Sequence, residues 1–185
     1  MSLSAFLNYF PKLGARVFIA DGAKVIGRAV LGDHSNIWFN SIVRADVNSI
    51  TIGNNTNIQD LCMLHVTERN ALTIGDNTSL GHSVILHGCR IGNGCLIGMG
   101  AIILDGAEVG DNSLVAAGSL ISPGKKFPPG SLIKGRPAVV ERPLGPEELE
   151  RVSNHYRAYV GYKEQYLRMG EENGTDQKGS RSKPD

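Results

Sequence analysis

The sequence predicts an all-β chain, a parallel β-helix of hexapeptide repeats followed by a C-terminal α-helix. Three observations predict it. From about Ile19 to Ile133 an aliphatic residue returns every six positions. Glycine often follows that residue, and the fifth place of each hexad is small. After Ile133 the six-residue period stops, prolines cluster, and apolar residues recur at three- and four-residue spacing. A short period sustained this long is the mark of a solenoid, whose units bury their apolar side only by stacking.

The aliphatic series runs Ile19, Val25, Leu31, Ile37, Val43, then Ile52, Ile58, Leu64, then Ile74, Leu80, Leu86. It continues Ile91, Ile97, Ile103, Val109, Val115, Ile121 and closes near Leu132. Glycine at the second place includes Gly32, Gly53, Gly75, Gly92 and Gly110. The fifth place holds Ala23, Ser35, Ser41, Thr56, Cys62, Thr78, Cys95, Ala101 and their like. One aliphatic points inward from each short strand, and a small residue lets the chain turn. Three strands complete a triangular coil, and coils stack by parallel pairing about 4.8 Å apart. The pattern does not set the hand. Chains with this hexapeptide resemble left-handed β-helices, an exception to the right-handed crossover rule, and the hand is taken from them.

Composition agrees. The chain has 185 residues, 23 glycines and 6% aromatic residues, which suits short strands and tight turns. With 19 basic and 18 acidic residues, net charge +1 offers no electrostatic case for nucleic acid or an anionic membrane. No apolar run spans a bilayer, and the first residues lack the basic and apolar regions of a secretion signal. Three cysteines without a C-x-x-C pair point to a reducing, cytoplasmic setting. Cys62 and Cys95 read as buried filler. Cys89, close after His87, leaves open a redox or ligand role.

Three segments follow: a β-helix over 1–140, a linker and helix over 141–169, and a disordered tail over 170–185. Pro146-Glu147-Glu148 is a helix start, with proline and acids in the first turn. Leu149, Val152, Tyr156, Tyr159, Val160 and Leu167 define an amphipathic helix from about Pro146 to Met169.

Register places the histidines. Ile52, Ile58 and Leu64 open edges a, b and c of one coil, and Ile74, Leu80 and Leu86 open those of the next. His65 and His87 are then second residues of edge c on adjacent coils, stacked on one outer face. His82 is the third residue of edge b and does not converge with them in one chain. Across a three-fold interface, edge b of one chain can meet edge c of another. Three imidazoles with an open fourth position are the arrangement of catalytic zinc. His34 and His155 read as surface or packing residues. Polar side chains share the two columns: Arg44 one coil before His65, and Asp60, beside Gln59, one coil before His82.

The segments Arg44-Ala45-Asp46, Asn57-Ile58-Gln59-Asp60, Leu64-His65-Val66, Gly81-His82 and Leu86-His87-Gly88-Cys89 resemble the gamma-class carbonic anhydrase family, in its short bacterial and archaeal form. Gly135-Arg136-Pro137-Ala138 and the helix with Asn154, Tyr159 and Tyr162 also match. The resemblance implies a homotrimer with Zn2+ at each interface, Fe2+ or Co2+ being alternatives. His65 and His87 of one chain and His82 of its neighbour would be the ligands. Arg44 and Asp60 would pair across the interface, and Asp46 and Asn57 would belong to the surrounding network. Gln59 would hydrogen-bond water or bicarbonate at the metal. The reaction implied is hydration of CO2 to bicarbonate, with a proton to be carried away on every turnover.

The chain departs from the most active members, which resemble Arg-x-Asp-Glu where this sequence has Val47 after Asp46. Their acidic loop is reduced here to Thr67-Glu68-Arg69-Asn70. Glu68 is the candidate proton shuttle, and Tyr159 resembles a tyrosine held near the metal. Three other readings stay open: a metal-dependent thioesterase or other hydrolase on the same site, a hexapeptide acyltransferase, and a non-catalytic trimeric scaffold.

Overall fold

The computed structural model describes residues 2–172. Its body is a three-faced parallel β-helix. Face b stacks seven short strands, from Phe18–Ile19 through Asn36–Ile37, Asn57–Ile58, Ser79–Leu80, Leu96–Ile97 and Leu114–Val115 to Ser131–Gly135. Face c includes Met63–His65, Ile85–His87, Ile102–Ile103 and Leu120–Ile121. Face a includes Leu72–Ile74, Arg90–Ile91, Glu108–Val109 and Lys126–Phe127. Two longer strands, Lys24–Leu31 and Ile42–Ile52, turn the corner from face c to face a. Every pairing inside this solenoid is parallel, and the ladders set Ile37 on Ile58, Ile58 on Leu80 and Leu64 on Leu86. The first-place residues from Val25 to Ile121 form one buried column, whereas Ile19 in the first coil is only half-buried.

Two separate constraints make the coils stack. At the second place on face a, held by Gly32, Gly53, Gly75, Gly92 and Gly110, there is no room for a side chain. A Cβ on Gly75 would lie 2.5 Å from Asn93 Oδ1 and 2.7 Å from the Asn93 nitrogen. Gly75→Ala must therefore push adjacent coils apart. We expect about 2 kcal/mol or more of destabilisation, read as a lower thermal midpoint. At the fourth place the backbone is left-handed: His34, Asn40, Asn55, Leu61, Asn77 and Ser83 all have φ between 55° and 62°. At the fifth place small polar side chains tie neighbouring coils. Thr56 Oγ1 donates to Gly75 O at 2.7 Å and Thr78 Oγ1 to Gly92 O at 2.8 Å. Cys62 and Cys95 use the thiol in the same way toward Gly81 O and Gly110 O.

The structure corrects several expectations. The last first-place residue of the core is Ile133, fully buried, and Leu132 is its half-buried neighbour, because Val115 pairs with Ile133. Residues 138–143 form a strand, Ala138–Pro143, antiparallel to Ser131–Gly135, and its last three residues lie where the linker was expected. The helix is two helices, α1 (Pro146–Asn154) and α2 (Tyr156–Glu172), with a turn at His155. The helix thus runs past Met169, and the remainder of the expected tail, 173–185, lies outside the described residues. Strands Leu3–Ser4 and Lys12–Leu13 extend the solenoid before Ile19 by pairing with Lys24–Leu31.

The three faces differ in what covers them. Face a ends in Thr73, Arg90, Glu108 and Lys126, a ladder for water with a Lys126–Glu108 ion pair at 2.6 Å. Face b is covered by α2, whose Tyr159 and Leu167 pack on Phe18, Ala20 and Trp38. Face c carries an outward column of Ile42, Met63, Ile85, Ile102 and Leu120, in ladder register, with Ile85 exposed and the other four half-buried. No helix among the described residues is long and apolar enough to cross a membrane.

Candidate functional site

The site sits on face c and on the corner that joins it to face b. Parallel pairing puts Arg44 beside His65 and His65 beside His87. The two imidazoles meet: His65 Nδ1 and His87 Nε2 are 3.1 Å apart, with ring centroids at 5.1 Å. Each ring has its other nitrogen on a carboxylate. His65 Nε2 lies 3.0 Å from Asp46 Oδ1, and His87 Nδ1 lies 2.6 Å from Asp105 Oδ1.

This arrangement has a chemical consequence. A carboxylate accepts, so each Asp takes the N–H of its imidazole. The nitrogens that face each other are then both lone pairs. Two lone pairs at 3.1 Å repel unless a proton or a metal ion lies between them. Two nitrogen ligands on tetrahedral zinc are separated by about 3.3 Å, close to what the chain presents.

Asp46 is the anchor of this chain of contacts. It accepts from Arg44, from His65 and from the Val47 N–H. Burial pushes its carboxyl up, but Val47, Arg44 and His65 together hold it down to about 2. It therefore stays ionised through the physiological range.

His82 is apart from this pair, as its register requires. Its Nδ1 lies 2.7 Å from Asp60 Oδ2, and both side chains are partly exposed on the corner between faces b and c. Among the described residues, no group of three or more His, Cys, Asp and Glu side chains gathers as a metal cage within one chain. His82 presents the same design as the other two, with one nitrogen on a carboxylate and the other outward.

The remaining candidates are distributed around these groups. Gln59 is buried and donates from Nε2 to Asn57 Oδ1 at 3.1 Å, while Asn57 donates to Ser79 Oγ at 2.7 Å. Both lie on face b under α2. Glu68 is exposed, on a turn closed by the Thr67 N–H to Asn70 O bond and held from Asn48 Nδ2. Tyr159 meets Trp38 edge to face at 5.5 Å. Burial and then the Asp60 charge push its phenol up, so it remains a hydrogen-bond donor. Cys89 is buried and its thiol is pushed up to about 12 by burial, as are those of Cys62 and Cys95, so none is poised as a thiolate.

Asp60 has a second neighbour. On the side toward α2 it lines a cavity of about 330 Å³ with Trp38, Phe39, Tyr159, Tyr162, Gln165 and Tyr166. The cavity and His82 thus share one carboxylate.

Two features were missed from sequence alone. Asp105 falls on the third place of edge c, one coil after His87 and over Gly88, one place beyond the histidine column that register follows. The aromatic cavity needs the placement of α2, which no periodicity gives.

Known proteins share this fold and much of this sequence. The family model for bacterial transferase hexapeptide (six repeats) matches residues 71–103 and 88–123. The chain is 42% identical over 150 residues to the carbonic anhydrase of Geobacillus kaustophilus, covering 81% of this chain and 82% of that one. It is 43% identical over 175 residues to YrdA of Escherichia coli, covering 91% and 95%. The crystal structure of a hexapeptide transferase family protein from Anaplasma phagocytophilum superposes with a TM-score of 0.86 at 36% identity, covering 89% and 98%. Identity at this level over nearly the whole length settles kinship, and the chain belongs to the gamma-class carbonic anhydrase-like family of hexapeptide-repeat proteins.

Proposed function

We propose that this chain is a metal-dependent lyase that hydrates CO2 to bicarbonate, with its active site between neighbouring chains of a homotrimer. One observation carries the reading: His65 Nδ1 and His87 Nε2 converge to 3.1 Å while Asp46 and Asp105 occupy their other nitrogens. His82 of an adjacent chain would complete the ligand set. Zinc fits these neutral nitrogens, with Fe2+ or Co2+ as alternatives. When bound, the metal supplies the Lewis acidity that makes water acidic enough to furnish hydroxide near neutral pH.

The chain's own residues do the rest. Asp46 and Asp60 would orient the rings of His65 and His82. Tyr159, protonated and lining the cavity beside Asp60, would offer its hydroxyl as a donor at the corner where His82 sits. Gln59 and Asn57 brace the same corner from face b, and exposed Glu68 can pass a proton to bulk water.

The apolar column of face c supports the trimer. Ile42, Met63, Ile85, Ile102 and Leu120 flank Arg44, His65 and His87, and a row of aliphatics on a soluble solenoid reads as an interface. Ile85→Asp is therefore expected to convert the trimer to monomers in analytical ultracentrifugation. Metal would be lost with assembly. A trimer that survives this change would place the interface elsewhere.

The function itself is tested by stopped-flow CO2 hydration on zinc- or iron-loaded, reduced protein, with acyl-CoA thioesters assayed in parallel. A second reading has one observation in its favour. The 330 Å³ cavity beside Asp60 is the size of small-molecule pockets and far larger than CO2 requires. A metal-dependent thioesterase or related hydrolase would use it for the acyl group. Turnover of thioesters without CO2 hydration would select that reading. A metal-free, active preparation would instead favour an acyltransferase.

A further inference from the structure

We propose that Asp105 is a positioning residue that sets the tautomer and aim of His87. The proposal rests on the metal-site reading above, which assigns His87 Nε2 to the metal.

The geometry singles out Asp105 from its equivalents. On the corner between faces a and b, the third place of the hexad is also Asx: Asp33, Asn54, Asp76, Asn93 and Asp111. Each of these turns its Oδ1 onto a main-chain N–H of the preceding coil, at 2.7–2.9 Å, as in Asn54 N to Asp76 and Asn93 N to Asp111. They are backbone caps. Asp105 does something else. The main chain beside it is already satisfied, since Gly88 N–H goes to His65 O and Gly106 N–H goes to Gly88 O. Its carboxylate is left for His87 Nδ1, at 2.6 Å.

The chain also makes room for this contact. The step from Leu86 to Ile91 is one residue short of a hexad, and Gly88, with φ 49°, takes the corner. A Cβ at Gly88 would stand 2.9 Å from Asp105 Oδ1 and 2.8 Å from Asn70 Cβ. The shortened hexad and its glycine clear the path by which Asp105 reaches the ring.

The consequence is a choice of tautomer. With Asp105 present, the proton of His87 is held on Nδ1 and the Nε2 lone pair faces His65. Without it, an imidazole returns to the Nε2–H form that it favours in water. That proton then points at His65 Nδ1 and occupies the place of the metal.

The test uses full-length wild type, Asp105→Ala and Asp105→Asn. In metal-free protein, long-range 15N–1H correlation spectra of His87, assigned with His87→Gln, report which nitrogen carries the proton. Wild type should be protonated at Nδ1, and Asp105→Ala should leave Nδ1 unprotonated. Zinc affinity, measured against a chelator, should weaken about 10- to 100-fold in Asp105→Ala. Asp105→Asn should fall between, because its amide oxygen still accepts from Nδ1–H, and it carries the test if Asp105→Ala folds poorly. An unchanged tautomer with zinc affinity within threefold of wild type overturns the proposal. If wild type binds no zinc, the metal-site reading fails by itself, and the tautomer comparison still decides whether Asp105 positions His87.

Discussion

Replacing His82 with Ala should strip the metal from the protein and leave the solenoid intact. The ring projects from the corner between faces b and c, is about two-fifths exposed, and touches Asp60 within its own chain. None of the buried column depends on it, since Leu80 and Val84 on either side supply the core contacts. Yet two imidazoles cannot hold zinc as three do, because a catalytic site needs three protein ligands and one open position. Metal content should drop from about one ion per chain to less than about a tenth, and CO2 hydration should fall to the uncatalysed rate. Metal analysis with a circular dichroism melt reads both halves of the expectation. Retention of metal would mean that the site is complete without His82.

Lys163→Ala should be the most damaging single change outside the core column. Lys163 lies on α2, fully buried, and its Nζ donates to Arg16 O at 3.0 Å, faces His34 Nδ1 at 3.4 Å and pairs with Glu164. Glu164 in turn pairs with Arg16. Removing Lys163 empties the space of a fully buried stem and takes the donor from Arg16 O, at a cost of about 2–3 kcal/mol. The loss should loosen α2 in particular, and with it Tyr159 and the aromatic cavity, so hydrogen exchange in α2 should speed before that in the solenoid. The pH dependence has a definite sign. The Arg16 guanidinium, and after it Lys163, hold the Glu164 carboxyl down to about 2 from an ordinary value of 4.5. A depressed carboxyl stabilises fully above its unfolded value and loses that contribution as pH falls through the folded one. The clamp should be intact above about pH 5 and released as pH approaches 2. Glu164→Gln should flatten that acid limb.

The solenoid was legible because its period is enforced at every coil. Core aliphatics from Val25 to Ile121 all landed in one column, since a slip of one place would turn them to solvent. The ends were less legible because the rule lapses there. Ile133 displaced Leu132 as the closing residue once an antiparallel strand, Ala138–Pro143, was added at the rim. Prolines that signal a linker are tolerated on such an edge. The left-handed fourth place was hidden by its variety. Asn40, Asn55 and Asn77 announce a positive φ, but Leu61 and Ser83 do not, and they adopt it because the coil leaves no other way around the corner. The break at His155 also had no signal, as the residues on both sides keep a helical spacing.

The site divides in the same way. Register alone stacked His65 on His87 and set His82 apart, and the pairings show just that. Register could not show side-chain reach. Asp46 sits two residues past Arg44, where a nine-residue step replaces the hexad, and only the folded strand Ile42–Ile52 brings it to His65. Asp105 and the cavity beside Asp60 likewise depend on rotamers and on where α2 docks.

Subunit complementation tests the central claim, that each metal is shared between chains, most directly. His82→Ala homotrimers keep His65 and His87, and His87→Ala homotrimers keep His82, yet neither should hold metal. In trimers reassembled from an equal mixture, one interface of every mixed trimer joins an intact face c to an intact corner. Metal should then return to about a quarter of the wild-type content, the share expected for random assembly in a closed three-fold ring. If the mixture binds no more metal than its two parents, the three histidines do not meet across chains and the account is wrong.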